Sequence, residues 1–384
     1  MVWEETKMTF LESRGKIKMK GMSGMMAVFI LGIVMAMPIA AATPDMKDCY
    51  KEHGRYEKID KAIEKGIIFL ESKQSESGEF PVEFSLDPKM SNIVNDSIFN
   101  HTIFGSAFIL HALTYIEPSS HVNNIRNRSI SFLMENMEPP GVWSYGGKYY
   151  SSPPDSDDTA LVLSALEENG VGINDSSLRF MLNFRTDEGL FHTWMIENRS
   201  DTSDPHSHLY ALDDVDASVN AYILYAYALN DMRIKEVSRF LNNYTKNKLF
   251  LNGTPYYPSQ YAFIYRLTLA YAGGSKGLDS AIPTVRKYLL DKQKTDGSWG
   301  NSVENGFAAV SLINIGYEDE ALDKAINHIV STQKDDGSWP RAVFYVGWPS
   351  SYESHLGPVP YFGSEELATG ISLEALGKYN SQKK

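Results

Sequence analysis

From residue 57 to residue 379 the chain repeats a single helical grammar, and a repeat of this kind constrains the fold before any motif is considered. One kind of segment is amphipathic and ends in a glycine followed by an aromatic residue. Its clearest example carries Leu322, Ala325, Ile326, Ile329 and Val330, an i, i+3, i+4, i+7, i+8 stripe, ahead of Gln333-Lys334-Asp335-Asp336-Gly337-Ser338-Trp339. Forty residues earlier, Gln293-Lys294-Thr295-Asp296-Gly297-Ser298-Trp299 closes a helix that begins near Asp279. Weaker copies run from Gln74 to Gly78 and Phe80, Met137 to Gly141 and Trp143, Phe184 to Gly189 and Phe191, and around Asn252-Gly253 with Tyr256, which makes six. Between them lie segments apolar around most of their circumference: 97–115, 159–168, 217–229, 261–272, 306–315 and 367–376. A helix apolar on most sides is buried on most sides. The expected fold is therefore all-α, a single (α/α)6 toroid of six helical hairpins with the buried helices inside and the amphipathic ones outside. No run alternates with period two for long enough to propose a sheet.

Composition narrows the function. The chain has 384 residues, 43% hydrophobic and 22% charged, with a formal charge of −12, which excludes disordered and collagen-like chains and makes nucleic acid an unfavourable partner. At roughly 100 to 200 residues per domain that length suggests two or three domains, but the continuous repeat replaces them with one. Residues 1 to 24 are rich in Lys and Arg, Met25 to Ala42 carry no charge, and Ala40-Ala41-Ala42 reads as a small-residue cleavage signal. Residues 1–42 are thus expected to be a signal peptide or a retained signal anchor, 43–56 a linker, and 57–384 the toroid. Eighteen helical residues cover about 27 Å, marginal for a bilayer, so both forms of the segment stay open. Export, with an extracytoplasmic location at or near a membrane, agrees with seven Asn-x-Ser/Thr triplets at Asn95, Asn100, Asn127, Asn174, Asn198, Asn243 and Asn252. Without residues 1–42 the charge becomes −14, because five basic and three acidic residues go with them. The single cysteine, Cys49, rules out an internal disulfide and any zinc site needing two thiolates.

Gln293/Gly297/Trp299 and Gln333/Gly337/Trp339 resemble the QW repeat of the squalene-hopene cyclase and oxidosqualene cyclase family, within the class II terpene cyclases. The repeat has a physical sense as a clamp. Glycine permits the turn after an outer helix, tryptophan covers apolar surface, and glutamine hydrogen-bonds backbone of a neighbouring helix. Asp155-Ser156-Asp157-Asp158-Thr159-Ala160 resembles that family's Asp-x-Asp-Asp-Thr-Ala motif, which opens an inner helix. On the resemblance, Asp157 is the general acid that protonates a linear isoprenoid, with Asp155 and Asp158 as its supporting neighbours. Clustered carboxyls favour a retained proton because like charges at close range cannot all ionise cheaply. The stretch from Glu197 through His206 and His208 to Asp213-Asp214-Val215-Asp216 resembles the segment in which a histidine supports the acid, a role open to either His206 or His208.

The resemblance implies a terpene cyclase or mutase, an isomerase or lyase by reaction, with an isoprenoid substrate and no organic cofactor. Trp143, Trp194, Tyr210, Tyr257 and Tyr261 are the aromatic candidates for the substrate's surroundings, since ring faces stabilise cations. The large cyclases have two barrels and this chain has one, as do related bacterial cyclases of drimane type. The zinc-dependent prenyltransferase branch needs a cysteine ligand, and Cys49 precedes the first repeat, so no metal is expected from that source. The plain physical reading stands alongside: nearly every inner segment opens with acid, as N-caps and first helical turns favour without any catalysis. On that reading the chain is an exported toroid that binds a glycan, polymer or protein, with carboxylates available for Ca²⁺ or Mg²⁺ at its mouth.

Overall fold

The computed structural model describes residues 46–94, 100–172, 175–197, 214–348 and 357–383. The chain falls into two compact units, Met1–Asp48 and Cys49–Lys384, and of the first only residues 46–48 are described. The apolar run Met25 to Ala42 lies outside the described residues. Among those described, no helix is long and apolar enough to cross a membrane.

Twelve α-helices alternate along the described chain. The outer ones are α1 (Met46–Lys73), α3 (Ser120–Glu135), α5 (Ser176–Met181), α7 (Lys235–Lys246), α9 (Ile282–Lys292) and α11 (Glu320–Ser331). The inner ones are α2 (Ile103–Leu113), α4 (Ser156–Glu168), α6 (Ala217–Leu229), α8 (Gln260–Ala272), α10 (Ser302–Asn314) and α12 (Glu365–Lys383). Each inner helix packs on the next, and α12 packs back on α2, which closes the ring as the repeat predicts. Every residue of α2 is buried, whereas α11 buries Leu322, Ala325, Ile326 and Ile329 of the predicted stripe, with its fifth residue Val330 half-buried, and presents its other side to solvent. Helix α1 starts at Met46, so residues 46–56 of the segment read as a linker are helical.

The inner helices begin at residues chosen to satisfy their free N–H groups. Thr102, Asp155, Asp216 and Ser259 accept hydrogen bonds from the first-turn amides of α2, α4, α6 and α8, and Asn301 with Glu304 forms a capping box on α10.

The Gln–Gly–Trp clamps hold the outer ring together. Gln293 Nε2 donates to the carbonyls of Gly297 and Ala321, at 3.0 and 2.7 Å, tying the turn after α9 to α11. Gln333 Nε2 does the same to Gly337 and Ala62, at 2.9 and 2.8 Å, and so ties α11 to α1 across the start and end of the ring. Trp299 and Trp339 each donate their indole N–H to a carbonyl in the outer helix before them, Leu289 and Ile329. Gly297 has φ +87° and lies so near the Lys324 carbonyl that a Cβ would stand 2.3 Å from that oxygen, so no other residue fits the clamp. Gln333→Ala should remove both bonds at the ring closure and lower stability by about 1–2 kcal/mol, read by urea unfolding of the full chain. A loss no larger than at an exposed outer-helix position would deny the clamp that role.

One expectation needs correction. A small antiparallel sheet, in the order β2-β1-β4-β3, joins β1 (Glu83–Ser85), β2 (Ile93–Val94), β3 (Tyr345–Val346) and β4 (Tyr361–Gly363). Strands of two or three residues cannot display a period-two pattern, and their pairing is long-range, between residues 83–85 and 361–363. Residues 340–347, which include β3, run as a strap whose amides bond to Tyr256, Pro360 and Phe362.

Candidate active site

Helix α4 presents Asp157, Leu161, Ser164 and Glu168 at i, i+4, i+7, i+11, one face of the helix. Asp157 stands at its start and Glu168 at its end, about 16 Å apart at 1.5 Å per residue. The three acids of the motif do different work. Asp155 is the N-cap: its Oδ1 accepts from the amides of Asp157 and Asp158, at 2.6 and 3.0 Å. Asp216 caps α6 in the same way, accepting from Ser218 and Val219, and also holds the Tyr256 amide at 2.9 Å. The capping explanation therefore accounts for these two.

Asp157 does no capping. Its Oδ2 accepts a hydrogen bond from the Tyr257 hydroxyl, and the Arg266 guanidinium stands 3.6 Å from the same oxygen. Its Oδ1 is buried and accepts no hydrogen bond among the described residues. Arg266 comes from α8, is 4% exposed, and stands over the Tyr257 ring, 3.3 Å from its centroid, with the Tyr222 ring 5.4 Å away on α6. Burial works against the guanidinium's charge, but Asp157 and Tyr257 outweigh it and hold the group firmly protonated.

Burial pushes the neighbouring carboxyls toward their neutral forms. Burial, then the charge of Asp157, pushes Asp155 up to about 8 despite two amide hydrogen bonds that oppose the shift. Asp158 is fully buried and rises well above the ordinary aspartate range, again by burial first and then by Asp155 and Asp157. Asp216 is raised as well, chiefly by burial. A single guanidinium thus faces a group of carboxyls of which only one, Asp157, meets it directly.

Aromatic rings surround this layer. Tyr345 from the strap lies 6.5 Å from Tyr257 and 4.6 Å from Phe104, centroid to centroid, and its hydroxyl shares a 2.6 Å hydrogen bond with that of Tyr145. One helical turn further along the inner face of α2, Phe108 meets Phe344 of the strap at 4.7 Å, and Phe344 meets Phe307 of α10 at 5.0 Å. Beyond them lies a second charged layer. His111 is fully buried, with Nδ1 2.5 Å from Glu168 Oε2 and Nε2 3.5 Å from Glu374 Oε1, and Lys378 pairs with that same Glu374 oxygen at 3.0 Å.

Of the aromatic candidates, Tyr257 touches the acid directly. Trp194 lies nearby, donating to the Tyr256 hydroxyl at 3.0 Å, which in turn donates to Asp214 at 3.2 Å. Trp143 belongs to an outer clamp instead, its indole N–H on the Leu133 carbonyl at 2.7 Å, and Tyr261 packs against Tyr288 of the outer helix α9 at 6.1 Å. His206, His208 and Tyr210 lie outside the described residues, and Trp348, at the end of the strap, is half-buried. Sequence reasoning missed Arg266, Tyr222, Phe344 and Tyr345. For Arg266 a signal exists, since it is the one charged residue in the apolar stretch of α8. Among the described residues no group of three or more His, Cys, Asp or Glu is arranged to hold a metal ion.

No protein-family model matches the sequence, and no curated protein matches it. The fold has solved counterparts. A protein from Actinoplanes superimposes with a TM-score of 0.67 at 16% identity, covering 84% of this chain and 99% of the other. The type II terpene cyclase MstE from Scytonema, in complex with its substrate geranylgeranyl dihydroxybenzoate, gives 0.64 at 16% identity, covering 86% of this chain and 99% of the other. The same cyclase without ligand gives 0.63 at 15%, over 84% and 98%. At such identity the likeness is one of fold, a single helical toroid of matching length.

Proposed function

We propose that the chain is a class II terpene-cyclase-like enzyme in which Asp157 protonates a carbon–carbon double bond of a linear isoprenoid. The observation that carries this reading is the Asp157 carboxyl itself: inward on α4, buried, one oxygen held by Tyr257 and the other without a hydrogen-bond partner among the described residues. The MstE fold, which binds a geranylgeranyl-bearing substrate, supports the same class of ligand here.

Asp157 rests as the anion beside Arg266; a proton passed to it from Asp155 or Asp158 makes it the acid, and that proton then goes to one alkene carbon, leaving a carbocation on the other that the next double bond attacks to close a ring. Loss of a proton or capture of water ends the sequence. Asp155 and Asp158 keep protons beside Asp157, because burial disfavours their charged forms, and a proton passing from them recharges the acid. Once Asp157 has given its proton it is an anion, and Arg266 and Tyr257 stabilise that anion without having to move. Tyr345, Phe104 and Phe344 pack together beside Tyr257, and their ring faces would stabilise the positive charge as it develops, while the Tyr257 ring itself carries Arg266. His206 or His208 remains the proposed further support of the acid. A polyene dissolved in a membrane suits an exported or anchored chain, with the toroid held near its substrate.

The test is to incubate wild-type protein and Asp157→Asn with squalene and with prenyl diphosphates of fifteen and twenty carbons. Cyclic product from wild type, reduced to background in Asp157→Asn, is the expected result. Absence of any cyclic product from wild type would leave the exported binding toroid as the better reading, and equal activity of the variant would displace Asp157 as the acid.

A further inference from the structure

The six inner helices build the wall of the barrel, but one ring buried among them comes from elsewhere. Phe344 is carried by the strap, 2% exposed, and meets Phe104, Phe108 and Phe307 edge-on at 5.7, 4.7 and 5.0 Å. Tyr265 of α8 completes this layer, 4.8 Å from Phe307 and 6.4 Å from Phe108.

The level of the layer is set by the caps. Thr102 and Asp155 cap α2 and α4, so Phe104 and Asp157 occupy the same second position of their helices, while Phe108 lies four residues further in. Phe344, which meets both Phe104 and Phe108, therefore lies between the level of the acid and about one helical turn, ~5.4 Å, further in. His111 comes three residues after Phe108 on the same face, and with Glu168, Glu374 and Lys378 it makes the space beyond the ring layer charged. An apolar chain has reason to stop at Phe344 on two counts: the rings there pack against one another, and the layer beyond them is ionic.

On the cyclase reading, which this inference rests on, we propose that Phe344 fixes how deeply an isoprenoid enters past Asp157 and hence the length of chain the site accepts. The strap makes it suited to that role, because the residue at this position is set by a connecting segment and not by the packing of an inner helix. Removing the ring would open roughly one further turn of barrel, comparable with one five-carbon unit. Filling it further would shorten the site.

Binding of linear prenyl alcohols of fifteen and twenty carbons to the full chain, measured by quenching of intrinsic fluorescence, tests this without relying on turnover. Phe344→Ala should move the ratio of affinities at least about tenfold toward the longer chain, and Phe344→Trp should move it the other way. Phe344→Leu, a smaller change, serves if the alanine variant fails to fold, and should shift the ratio in the same direction as alanine. An unchanged ratio in a folded variant overturns the inference while leaving the cyclase reading intact. A shifted ratio with no cyclic product in any variant upholds Phe344 and removes the cyclase reading, and wild type that binds neither alcohol removes both.

Discussion

Arg266→Met should destabilise the protein by about 3–5 kcal/mol, and Asp157→Asn made in the same chain should return a substantial part of that loss. The methionine keeps most of the arginine stem's apolar contact with the Tyr222 and Tyr257 rings, so the variant mainly removes charge. The residue left behind is a buried Asp157 carboxylate whose guanidinium partner stood 3.6 Å away, with Tyr257 as its hydrogen-bond donor. Breaking a buried pair from one side costs more than removing both partners, because the survivor is left charged in a poor solvent. Urea unfolding of the two single variants and the double variant forms a thermodynamic cycle that isolates the pair. Losses that simply add would mean that the two groups do not interact, and the account of how the Asp157 anion is stabilised after proton transfer would go with them.

The fold was legible because its rules are local and repeated. Gln293, Gly297 and Trp299 stand in the same relation as Gln333, Gly337 and Trp339, and in each set the glutamine bonds its own turn and the next outer helix while the tryptophan bonds the outer helix before. The same rule read Met137 to Gly141 and Trp143 as a weaker copy, and Trp143 makes the matching bond to Leu133, which puts it in the outer clamp and not beside a substrate. The acids were legible only in part. Asp155 and Asp157 are neighbours of one type, yet one caps a helix and the other faces a guanidinium carried by α8, far along the chain. No local pattern separates those roles.

Tyr345 and Phe344 were hidden for a different reason. Their neighbours β1 and β4 pair across 278 positions, Phe84 with Phe362 at the centre of the register, in strands too short to announce themselves. The charged layer beyond Phe344 did leave a trace. His111 on α2 and Glu374 on α12 each interrupt an otherwise apolar stretch of an inner helix, and an ionisable residue there must find a partner inside the ring.

That layer gives the second large effect, a contribution to the pH dependence of stability that His111→Gln should remove. Burial lowers the basicity of His111, but Glu168 and Glu374 outweigh it and raise the imidazole from 6.5 to about 9. A histidine raised on folding adds stability that is fully present below its unfolded value of about 6.5 and is lost as pH rises toward 9. A shift of that size corresponds to about 3 kcal/mol. The same pairing is seen from the other side in Glu374, which burial would raise but Lys378 and His111 hold down near 2. Its contribution is present above about 4.5 and fades as pH falls toward 2, and it is not a separate sum. Asp155 also titrates near 8 in the folded chain, so the slope of the wild-type curve alone does not identify the histidine. The difference between wild type and His111→Gln does: urea unfolding should separate the two by about 3 kcal/mol at about pH 6 and by much less at about pH 10. A difference that stays constant across that range would mean that His111 is neutral in the folded protein, with Lys378 as the cation paired with Glu374.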